Sequence, residues 1–558
     1  MLISLLSTLL IIPVLMGLGK IVEHFFGSLF PGIAGKALSG ILGLGIIWTL
    51  LAFFIPLNIY VEIVPILSGL FYFFKEKLYH EFYKFSTKDN FLIVIISLII
   101  LFCGSYYPYI LDHYGYYVST IKWLTEYGLV KGISNLDLTL GQMSAWHIIQ
   151  AGFSNFSDPF LRINAVLLIV YTLYIVEKKS WIHLCFLPVM FLFLQSPSPD
   201  LPVIVFSLII LNEILSGNKK ASLLLGFSVF VFTIKPTMIW LPILSFLYSV
   251  FMIKSNFRSL TLGTVILFLF FIKNLWTFGY PVFPIPIGDF GLSWKPNPEI
   301  LKTSSHFAIQ KTYDLQYTYE EIQSFSRLDY IKNWLSLDGI KSKINILFII
   351  SLSGFIIFSF IKKNKIISLI CISLIIKSIL ILLFSAQYRF FIDVFFIILF
   401  ILLFNSFDKK KAITAFSVAS LLIISFLSFP EFIVKHLPSY KMASYMGLFE
   451  KKQLIKPAVY ENVAFDSFEL GNLKFNVSRN YPYNFSTPLP AITPNYIIED
   501  ANADIFPQLI DPQNIGKGLI WKKMTKHREK HIENIINTII DHDKQNKMQR
   551  LDYLKKKP

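Results

Sequence analysis

Charged residues are scarce in this sequence. They make up 15% of the 558 residues, whereas 54% are hydrophobic and 55 are Phe. A soluble protein carries roughly 25% charged residues. With only 15%, a soluble fold of this size would lack the polar surface needed to bury so many aromatic side chains. The mean hydropathy of +0.59 agrees with this. The composition therefore excludes a water-soluble globular protein and indicates that the main solvent of the chain is lipid.

Cysteines and the common catalytic motifs are also rare or missing. Cys103, Cys185 and Cys371 are the three cysteines and lie inside apolar runs, which indicates small buried side chains rather than a disulfide framework or a metal site. No Gly-rich phosphate loop, Ser-His-Asp arrangement, zinc motif or dinucleotide fingerprint rises above chance, so we expect no nucleotide binding. The first apolar run lacks a charged n-region and a cleavage site, and we interpret it as a retained membrane span.

The apolar runs predict an all-α polytopic membrane protein with about 12–14 transmembrane helices. A hydrocarbon core of about 30 Å needs about 20 apolar residues per helix, and fewer where neighbouring helices shelter it. The predicted spans are 2–19, 38–56, 60–74, 91–108, 159–177, 181–196, 201–215, 221–234, 237–253, 259–277, 344–361, 366–384, 390–405 and 412–428.

The lysines indicate the orientation of these spans. The net charge is +16, and Lys and Arg cluster in alternate short connections, which is typical of cytoplasmic loops. Much of the positive charge therefore reflects membrane topology, and we expect no nucleic-acid partner. The other connections then lie on the outer face, and any chemistry is expected there, because irregular backbone cannot lie in lipid. These outer segments are 109–158, 196–200, 235–236, 278–343, 387–389 and everything after 429.

Composition divides the chain into four regions. Residues 1–90 form N-terminal spans, and residues 91–429 form a core of spans with the outer loops 109–158 and 278–343. Residues 430–515 are mixed in composition and predict a small outer domain with short β-rich stretches such as 472–477. Residues 516–558 form a basic extension.

The basic extension carries 12 Lys or Arg against 5 acidic residues. Within it, residues 533–541 are predicted to be helical, with one apolar face that includes Ile532, Ile535, Ile536 and Ile539. Such a helix lies either on the protein surface or on anionic lipid headgroups, and the sequence leaves both alternatives open.

The first outer loop holds the most informative candidate residue. Asp112 directly follows a predicted span, where a carboxylate serves as a general base, ligates a divalent cation such as Mg²⁺ or Mn²⁺ together with phosphate oxygens, or caps a helix. Trp123 and Tyr127 have rings suited to the headgroup level, so interfacial helices are expected in this loop. His147 has several possible roles: a general acid, a hydrogen-bond donor to phosphate, a metal ligand, or a structural residue.

Four more charged residues lie at the outer ends of predicted spans. Asp200 is a second candidate acid or a helix cap; Lys235 and Lys273 either bind substrate or extend toward the headgroups. Arg389 either grips a phosphate with two N–H groups or pairs with Asp393 one turn later. Charge in lipid is expensive and usually functional, so the outer ends of these spans are the predicted site.

Several short motifs resemble those of an uncharacterised bacterial family of multi-pass membrane proteins, which in turn is similar to the GT-C superfamily of integral membrane glycosyltransferases. The motifs run in order from roughly 91 to 400. They are Asp112-x(4)-Tyr117, Ile121-Lys122-Trp123, Glu126-Tyr127-Gly128-x-Val130-x-Gly132, Asn135-Leu136, Gly141, Ser144, Ser198-Pro199-Asp200-Leu201, Lys273-Asn274-Leu275, Gly279-Tyr280-Pro281-Val282-Phe283-Pro284, Trp294 and Tyr388-Arg389-Phe390. The tail at 488–494 also resembles the family pattern, but Ala491 and Ile492 stand where that pattern has a cysteine.

The resemblance implies a GT-C-like fold and an outward-facing site at which a sugar moves from a polyprenyl-phosphate carrier to a glycan, lipid or protein acceptor. It places Asp112 at the centre of that site, which we expect in the bacterial cytoplasmic membrane, and the lysine pattern predicts that the C-terminus lies outside. From the residues, Asp112 and Asp200 are then the catalytic candidates, and His147, Lys235, Lys273 and Arg389 are the substrate-binding candidates. A polysaccharide polymerase or ligase and a lipid or glycan transporter remain alternatives.

Overall fold

The computed structural model describes residues 1–404, 406–429, 435, 448–460, 464–479 and 482–555. Helices dominate this part of the chain, and eight of them are long and apolar enough to cross a membrane. These eight are Leu2–Phe26, Ile33–Ala52, Thr87–Gly104, Pro236–Ile253, Phe257–Thr277, Ile340–Lys362, Lys365–Phe384 and Lys409–Ser428. The all-α polytopic class is thereby confirmed.

The α-helices are numbered in chain order. They are α1 (Leu2–Phe26), α2 (Ile33–Ala52), α3 (Ile59–Lys75), α4 (Thr87–Gly104), α5 (Val118–Glu126), α6 (Ala145–Phe153), α7 (Ile163–Lys178), α8 (Leu187–Met190), α9 (Asp200–Leu215), α10 (Ala221–Ile234), α11 (Trp240–Tyr248), α12 (Thr261–Thr277), α13 (Pro298–Thr312), α14 (Tyr319–Gln323), α15 (Arg327–Leu335), α16 (Ile340–Lys362), α17 (Lys365–Phe384), α18 (Ile392–Leu403), α19 (Lys409–Ser428), α20 (Pro494–Asn502) and α21 (Lys526–Lys555). The strands are β1 (Phe465–Leu470), β2 (Leu473–Ser478), β3 (Ile505–Leu509) and β4 (Leu519–Lys523).

The predicted span at 181–196 is wrong. This segment is broken into a 3₁₀ turn at Trp181–Cys185, the short helix α8 and another 3₁₀ turn at Phe191–Phe193. Pro188 lies inside α8 and cannot donate a helical hydrogen bond. Leu184, Leu187 and Phe191 are fully buried. The hydrophobicity of this segment therefore reflects burial among other helices rather than contact with lipid.

Helices α1 and α2 approach each other closely because both carry glycines. A methyl group at Gly19 would lie 1.7 Å from the carbonyl oxygen of Lys36 in α2, and one at Gly40 would lie 2.2 Å from the carbonyl oxygen of Leu15 in α1. Small residues at such crossings let two backbones touch, which is the usual way for helices to pack where lipid removes the hydrophobic drive. The N-terminal helices are therefore tightly packed against each other.

The first outer loop is folded into short helices, as predicted. A π-helical turn at His113–Tyr117 leads into α5, and two 3₁₀ turns precede α6. The stripe of α5 that contains Ile121 and Leu124 is buried. Trp123 is also fully buried, so its ring does not contact the headgroups as expected. The centre of its indole lies 5.1 Å from the centre of the Tyr127 ring, and the indole is part of the protein core.

The C-terminal region, which comprises the described residues between 448 and 555, forms two small antiparallel sheets. Strand β1 pairs with β2, which confirms the β-rich stretch near 472–477, and β3 pairs with β4. Strand β4 lies beyond the predicted boundary at 515, so the basic extension begins inside a sheet. The start of the predicted outer domain, 430–447, lies outside the described residues apart from Lys435.

The C-terminal region packs on the first outer loop and its neighbours. The backbone N–H of Leu519 donates to the carbonyl of Lys131 at 2.8 Å, and Lys122 Nζ donates to the carbonyls of Ser486 and Thr487. The buried Arg162 donates to the carbonyl of Ala458 at 2.8 Å. These contacts place the C-terminal region on the same side of the molecule as the loop 109–158.

Helix α21 contains the predicted amphipathic segment. Ile532 and Ile535 are buried, and the helix packs against α20 and β1. Its apolar face is therefore occupied by protein, which agrees with the protein-surface alternative.

Candidate functional site

Five charged residues from five separate segments gather at one place. Asp112 lies just before the π-helical turn of the first outer loop, and Asp200 is the first residue of α9. Lys235 follows α10, Lys311 lies near the end of α13, and Arg389 lies in the 3₁₀ turn Tyr388–Phe390 between α17 and α18. Four of these were predicted from the sequence. Most of these residues lie in turns or at the ends of helices.

Asp112 and Arg389 form a loose ion pair. Arg389 Nη1 lies 3.8 Å from Asp112 Oδ2, and the two side chains are 46% and 37% exposed. At this separation and exposure the guanidinium keeps donors for another anion, because an arginine has five N–H groups. The pair is therefore open to a ligand.

Asp200 and Lys235 form a tighter pair beside it. Lys235 Nζ is hydrogen-bonded to Asp200 Oδ1 and also donates to the backbone carbonyl of Arg389 at 3.4 Å. The Ser198 hydroxyl donates to Asp200 Oδ2 at 3.3 Å. Lys235 thus links the second carboxylate to the turn that carries Arg389, and this connection joins the two ion pairs into one charged centre. We call these five residues, Asp112, Asp200, Lys235, Lys311 and Arg389, the outer charged centre.

Burial and charge set the protonation of Asp112. Burial raises the pKa of its carboxyl above the ordinary value, and the negative charge of Asp200 acts in the same direction. The positive charges of Arg389, Lys311 and Lys235 oppose this rise. A carboxylate whose pKa is moved toward neutrality in this way is well suited to accept a proton.

Lys311 was missed by the sequence analysis. Burial lowers the pKa of its ammonium group, the charge of Arg389 lowers it further, and Asp112 raises it. Its ammonium also lies 4.5 Å from the ring centre of Phe307 on the same helix. Nothing local distinguishes Lys311 from the other lysines of the loop 278–343, and only the folding of α13 over the 387–389 turn brings it to Arg389.

That docking is visible in the hydrogen bonds around the turn. Ser385 Oγ donates to the carbonyl of Ala308 in α13 at 2.9 Å, and Gln387 Nε2 donates to Ser385 Oγ at 2.8 Å. Trp334 Nε1 in α15 donates to the carbonyl of Ala386 at 2.9 Å. The outer loop 278–343 therefore covers the turn that presents Arg389.

Lys273 does not join the outer charged centre. It is buried, and its ammonium donates to the carbonyl of Met143 at 2.5 Å and to that of Gln142 at 3.4 Å. The expectation that Lys273 extends toward the headgroups is therefore wrong, and its predicted role in substrate binding stays a prediction. Lys273 instead fastens α12 to the loop before α6.

His147 lies behind the outer charged centre rather than in it. Its imidazole is fully buried, with the Tyr117 ring at 4.7 Å and the Tyr116 ring at 6.1 Å. Burial lowers its pKa to about 3, so the ring is neutral at ordinary pH. Neither ring nitrogen has a hydrogen-bond partner among the described residues. The structural interpretation of His147 fits this position better than a role in binding substrate.

Two structural alternatives for the predicted residues are wrong. Asp393 does not pair with Arg389; it pairs with Lys377 in α17 and accepts a hydrogen bond from Trp240 Nε1 at 2.9 Å. Asp200 does not cap α9, because Pro199 occupies the cap position and makes no side-chain cap bond. Arg389 and Asp200 therefore have neither of these structural roles, and both belong to the outer charged centre.

The residues present do not fit a metal held by protein groups alone at this centre. Among the described residues, no three His, Cys, Asp or Glu side chains are grouped so as to hold a metal ion. Asp112 and Asp200 each face a cation, Arg389 and Lys235 respectively. Both carboxylates of the outer charged centre are therefore already paired with cations of the protein.

Comparison with known proteins gives one match. Residues 1–396 match a family model described as "Domain of unknown function (DUF8201)". No curated protein and no solved structure matches the chain. The matched segment contains all five residues of the outer charged centre, whereas the C-terminal region lies outside it.

Proposed function

We propose that this chain, which belongs to the DUF8201 family, is a GT-C-like integral membrane glycosyltransferase with about 12–14 transmembrane helices. The proposed reaction moves a sugar from a polyprenyl-phosphate donor to an acceptor on the outer face of the bacterial cytoplasmic membrane. The observation that supports it is the convergence of two carboxylates and three cations at the ends of helices. Such a set of groups suits displacement of a phosphate from a sugar.

The reaction needs a base and a cationic site for the leaving group. A hydroxyl oxygen of the acceptor forms a bond to the anomeric carbon, and the bond from that carbon to the phosphate oxygen breaks with its electron pair. The proton of the hydroxyl moves to the Asp112 carboxylate. A positioned base of this kind contributes about 10²–10⁴-fold to the rate.

Arg389 and Lys311 are proposed to bind the departing phosphate. The guanidinium of Arg389 is half exposed and only loosely paired with Asp112, so it can turn two N–H groups to phosphate oxygens. Lys311 adds a point charge that burial has partly stripped of water. Cations fixed where negative charge develops lower the barrier without reorganising during the reaction.

Asp200 and Lys235 are proposed to position Arg389 rather than to touch the reacting bond. Lys235 is hydrogen-bonded to Asp200 and to the backbone carbonyl of Arg389. The hydrogen bond to the backbone fixes the turn from which the guanidinium extends. Asp200 would thereby act through Lys235 as a second acidic partner of the site.

A lipid-linked donor has an apolar path to this centre. The last turn of α17 exposes Leu380, Leu383 and Phe384, and Leu383 is 81% exposed. These side chains directly precede the 385–389 segment that ends at Arg389. A polyprenyl chain lying along α17 in the bilayer would therefore bring its phosphate to the guanidinium.

A polysaccharide polymerase or ligase would use the same groups on a lipid-linked glycan. A lipid or glycan transporter is favoured by one observation only, the ion pair of Lys377 and Asp393 buried between helices. Transport would predict movement of a fluorescent lipid-linked glycan across sealed proteoliposomes without release of polyprenyl phosphate.

The test is turnover by the purified full chain in detergent or nanodiscs. A panel of polyprenyl-phosphate sugars and acceptor hydroxyls is supplied, and released polyprenyl phosphate is measured by mass spectrometry. We expect release by the wild type and none by Asp112→Asn. Asp289→Asn is the matched control, because Asp289 is an exposed outer-loop carboxylate paired with Lys295. Equal release by wild type and Asp112→Asn would contradict the proposal.

A further inference from the structure

A short segment of the C-terminal region, residues 482–487, lies against the turn that follows Asp112. The backbone N–H of Phe485 donates to the carbonyl of Tyr114 at 3.0 Å, and the centres of their two rings are 4.7 Å apart. Lys122 in α5 donates to two further carbonyls of this segment, at 3.4 and 3.3 Å. The segment is therefore fastened to the first outer loop close to Asp112.

Tyr483 is the residue of this segment that approaches the π-helical turn at Gly115. A methyl group on Gly115 would lie 4.0 Å from Tyr483 Cδ1. Apart from the turn itself, that methyl group would meet no other atom of the described residues within 4 Å. Gly115 and Tyr483 are both partly exposed, and Gly115 is three residues after Asp112. The space in front of Gly115 is therefore open, with the tyrosine ring at its edge.

Tyr483 borders Asp112 from a side that is away from the cations. Burial raises the pKa of the Tyr483 hydroxyl, and the negative charge of Asp112 raises it further. The three cations of the outer charged centre act on Asp112, whereas no cation of the described chain acts on Tyr483. Because the interaction between charges weakens with distance, these cations are nearer to Asp112 than to Tyr483. The outer charged centre therefore has a cationic side and an aromatic side.

The two sides suit different ligands. Arginine and lysine suit a phosphate. An aromatic ring suits a sugar, because one face of a pyranose ring consists mainly of C–H groups that pack on the aromatic face. The hydroxyls of that sugar stay free to donate to a neighbouring carboxylate. Tyrosine combines a large apolar contact area with one polar group, which matches a ligand of this mixed character.

We propose that the acceptor is a glycan and that Tyr483 binds its terminal sugar, with one hydroxyl of that sugar directed to Asp112. The donor phosphate then lies on the cationic side. Tyr483 lies beyond residues 1–396, which the family model matches, so the C-terminal region supplies the specificity for the acceptor. This inference rests on the proposed glycosyl transfer for the role of the hydroxyl, but binding of the glycan is measurable without turnover.

The test is binding of labelled glycans to the purified full chain in nanodiscs. The probes are fluorescent tetrasaccharides of glucose, mannose, rhamnose and N-acetylglucosamine, followed by fluorescence anisotropy. We expect the wild type to bind at least one of them, and Tyr483→Ala to bind it at least about tenfold more weakly, which corresponds to about 1.4 kcal/mol. Tyr483→Phe keeps the ring, so its Kd should stay within about threefold of that of the wild type.

Gly115 provides an independent pair of variants. The methyl group of Gly115→Ala makes only an ordinary contact with the Tyr483 ring and should leave the Kd unchanged. The longer side chain of Gly115→Leu fills the open space and should weaken binding as Tyr483→Ala does. Tyr60→Ala is the matched control, because Tyr60 is 77% exposed at the start of α3, in a different segment. It should bind the glycan as the wild type does.

Turnover separates this inference from the proposed function. Tyr483→Ala should raise the KM for the acceptor glycan at least about tenfold and leave the KM for the phosphate donor unchanged, a split that general loss of folding would not produce. Binding that depends on Tyr483 without release of polyprenyl phosphate would support the glycan site and contradict the glycosyltransferase. Failure of the wild type to bind any of the four probes, or equal Kd values for the wild type and Tyr483→Ala, would overturn the inference. Release of polyprenyl phosphate with an unchanged acceptor KM in Tyr483→Ala would also overturn it and leave the glycosyltransferase standing.

Discussion

At the scale of single residues, the balance of charge around Asp112 is the main determinant of the outer charged centre. One acid next to it, Asp200, favours protonation of Asp112, and three cations favour its ionised form. The cations belong to three different segments, so each can be removed separately. Lys311 is the most informative of the three, because it is a partner in neither the Lys235–Asp200 nor the Arg389–Asp112 ion pair.

The first prediction concerns Lys311→Gln. A hydrogen bond to a charged group contributes about 1.5–3 kcal/mol, and 1.4 kcal/mol corresponds to a factor of ten. We therefore expect the KM for the phosphate donor to rise at least about tenfold, measured from initial rates of polyprenyl phosphate release. Lys302→Gln on the same helix is the control, because Lys302 is exposed and pairs with Glu299. An unchanged KM in Lys311→Gln would remove Lys311 from the donor site.

The same variant should shift the pH dependence. The base must be ionised, so kcat/KM falls as the pH drops through the pKa of Asp112. That pKa lies above its ordinary value because of burial, and Lys311 holds it down. Removing the lysine lets the pKa rise, so the acid limb of the profile should move to higher pH. Lys302→Gln should leave the limb in place, and a limb that moves to lower pH would contradict this assignment.

Sequence reasoning found four of the five residues of the outer charged centre because charge at the end of an apolar run is visible without a structure. Asp112, Asp200, Lys235 and Arg389 all carry that signal. Lys273 carries it too, yet its ammonium is satisfied by two carbonyls inside the protein. The pattern locates a charge along the membrane normal but does not identify the group that it meets.

At the scale of elements, the pair of Lys377 and Asp393 joins α17 to α18. Lys377 is completely buried, and Asp393 also accepts from Trp240 in α11. The two helices are connected by the segment that carries Arg389. The pair therefore fixes the base of the turn from which the guanidinium extends.

We expect Asp393→Asn to lower the stability of the protein by about 3 kcal/mol or more, because it leaves Lys377 buried without a counter-charge. The double variant Lys377→Met, Asp393→Asn should recover part of the loss, since neither charge then remains. The measurement is chemical unfolding in detergent. Asp541→Asn removes an exposed acid paired with Lys544 and should change stability by less than about 0.5 kcal/mol. Equal effects of Asp393→Asn and Asp541→Asn would contradict the account.

The element most poorly predicted from sequence is the segment 181–196. Its composition resembles that of a membrane span, but Pro188 and two 3₁₀ turns break it. Hydropathy does not separate a side chain facing lipid from one facing other helices, because both environments are apolar. Helices with long apolar runs, such as α1, α16 and α17, are continuous and are long and apolar enough to cross a membrane.

At the scale of the whole molecule, the segments with irregular backbone gather around the outer charged centre and the C-terminal region. The lysine-rich connections, such as 219–220 and 362–365, lie at the opposite ends of their helices. This segregation underlies the proposed orientation, with the lysines in the cytoplasm.

Thiol labelling of intact cells tests that orientation. In a background without Cys103, Cys185 and Cys371, Glu320→Cys should react with a membrane-impermeant maleimide from outside, whereas Lys220→Cys should react only after permeabilisation. Both positions are exposed, so accessibility to the reagent differs only by side. The reverse pattern would place the outer charged centre in the cytoplasm.

The most direct test of the central claim is the rate of sugar transfer by Asp112→Asn. The rate is followed as polyprenyl phosphate released from a lipid-linked donor at saturating acceptor, with wild type, Asp112→Asn and Asp289→Asn at equal amounts of folded protein. The account predicts a loss of at least about 100-fold for Asp112→Asn, the lower end of what a general base contributes, and no loss for Asp289→Asn. A rate for Asp112→Asn within about threefold of the wild type would contradict it.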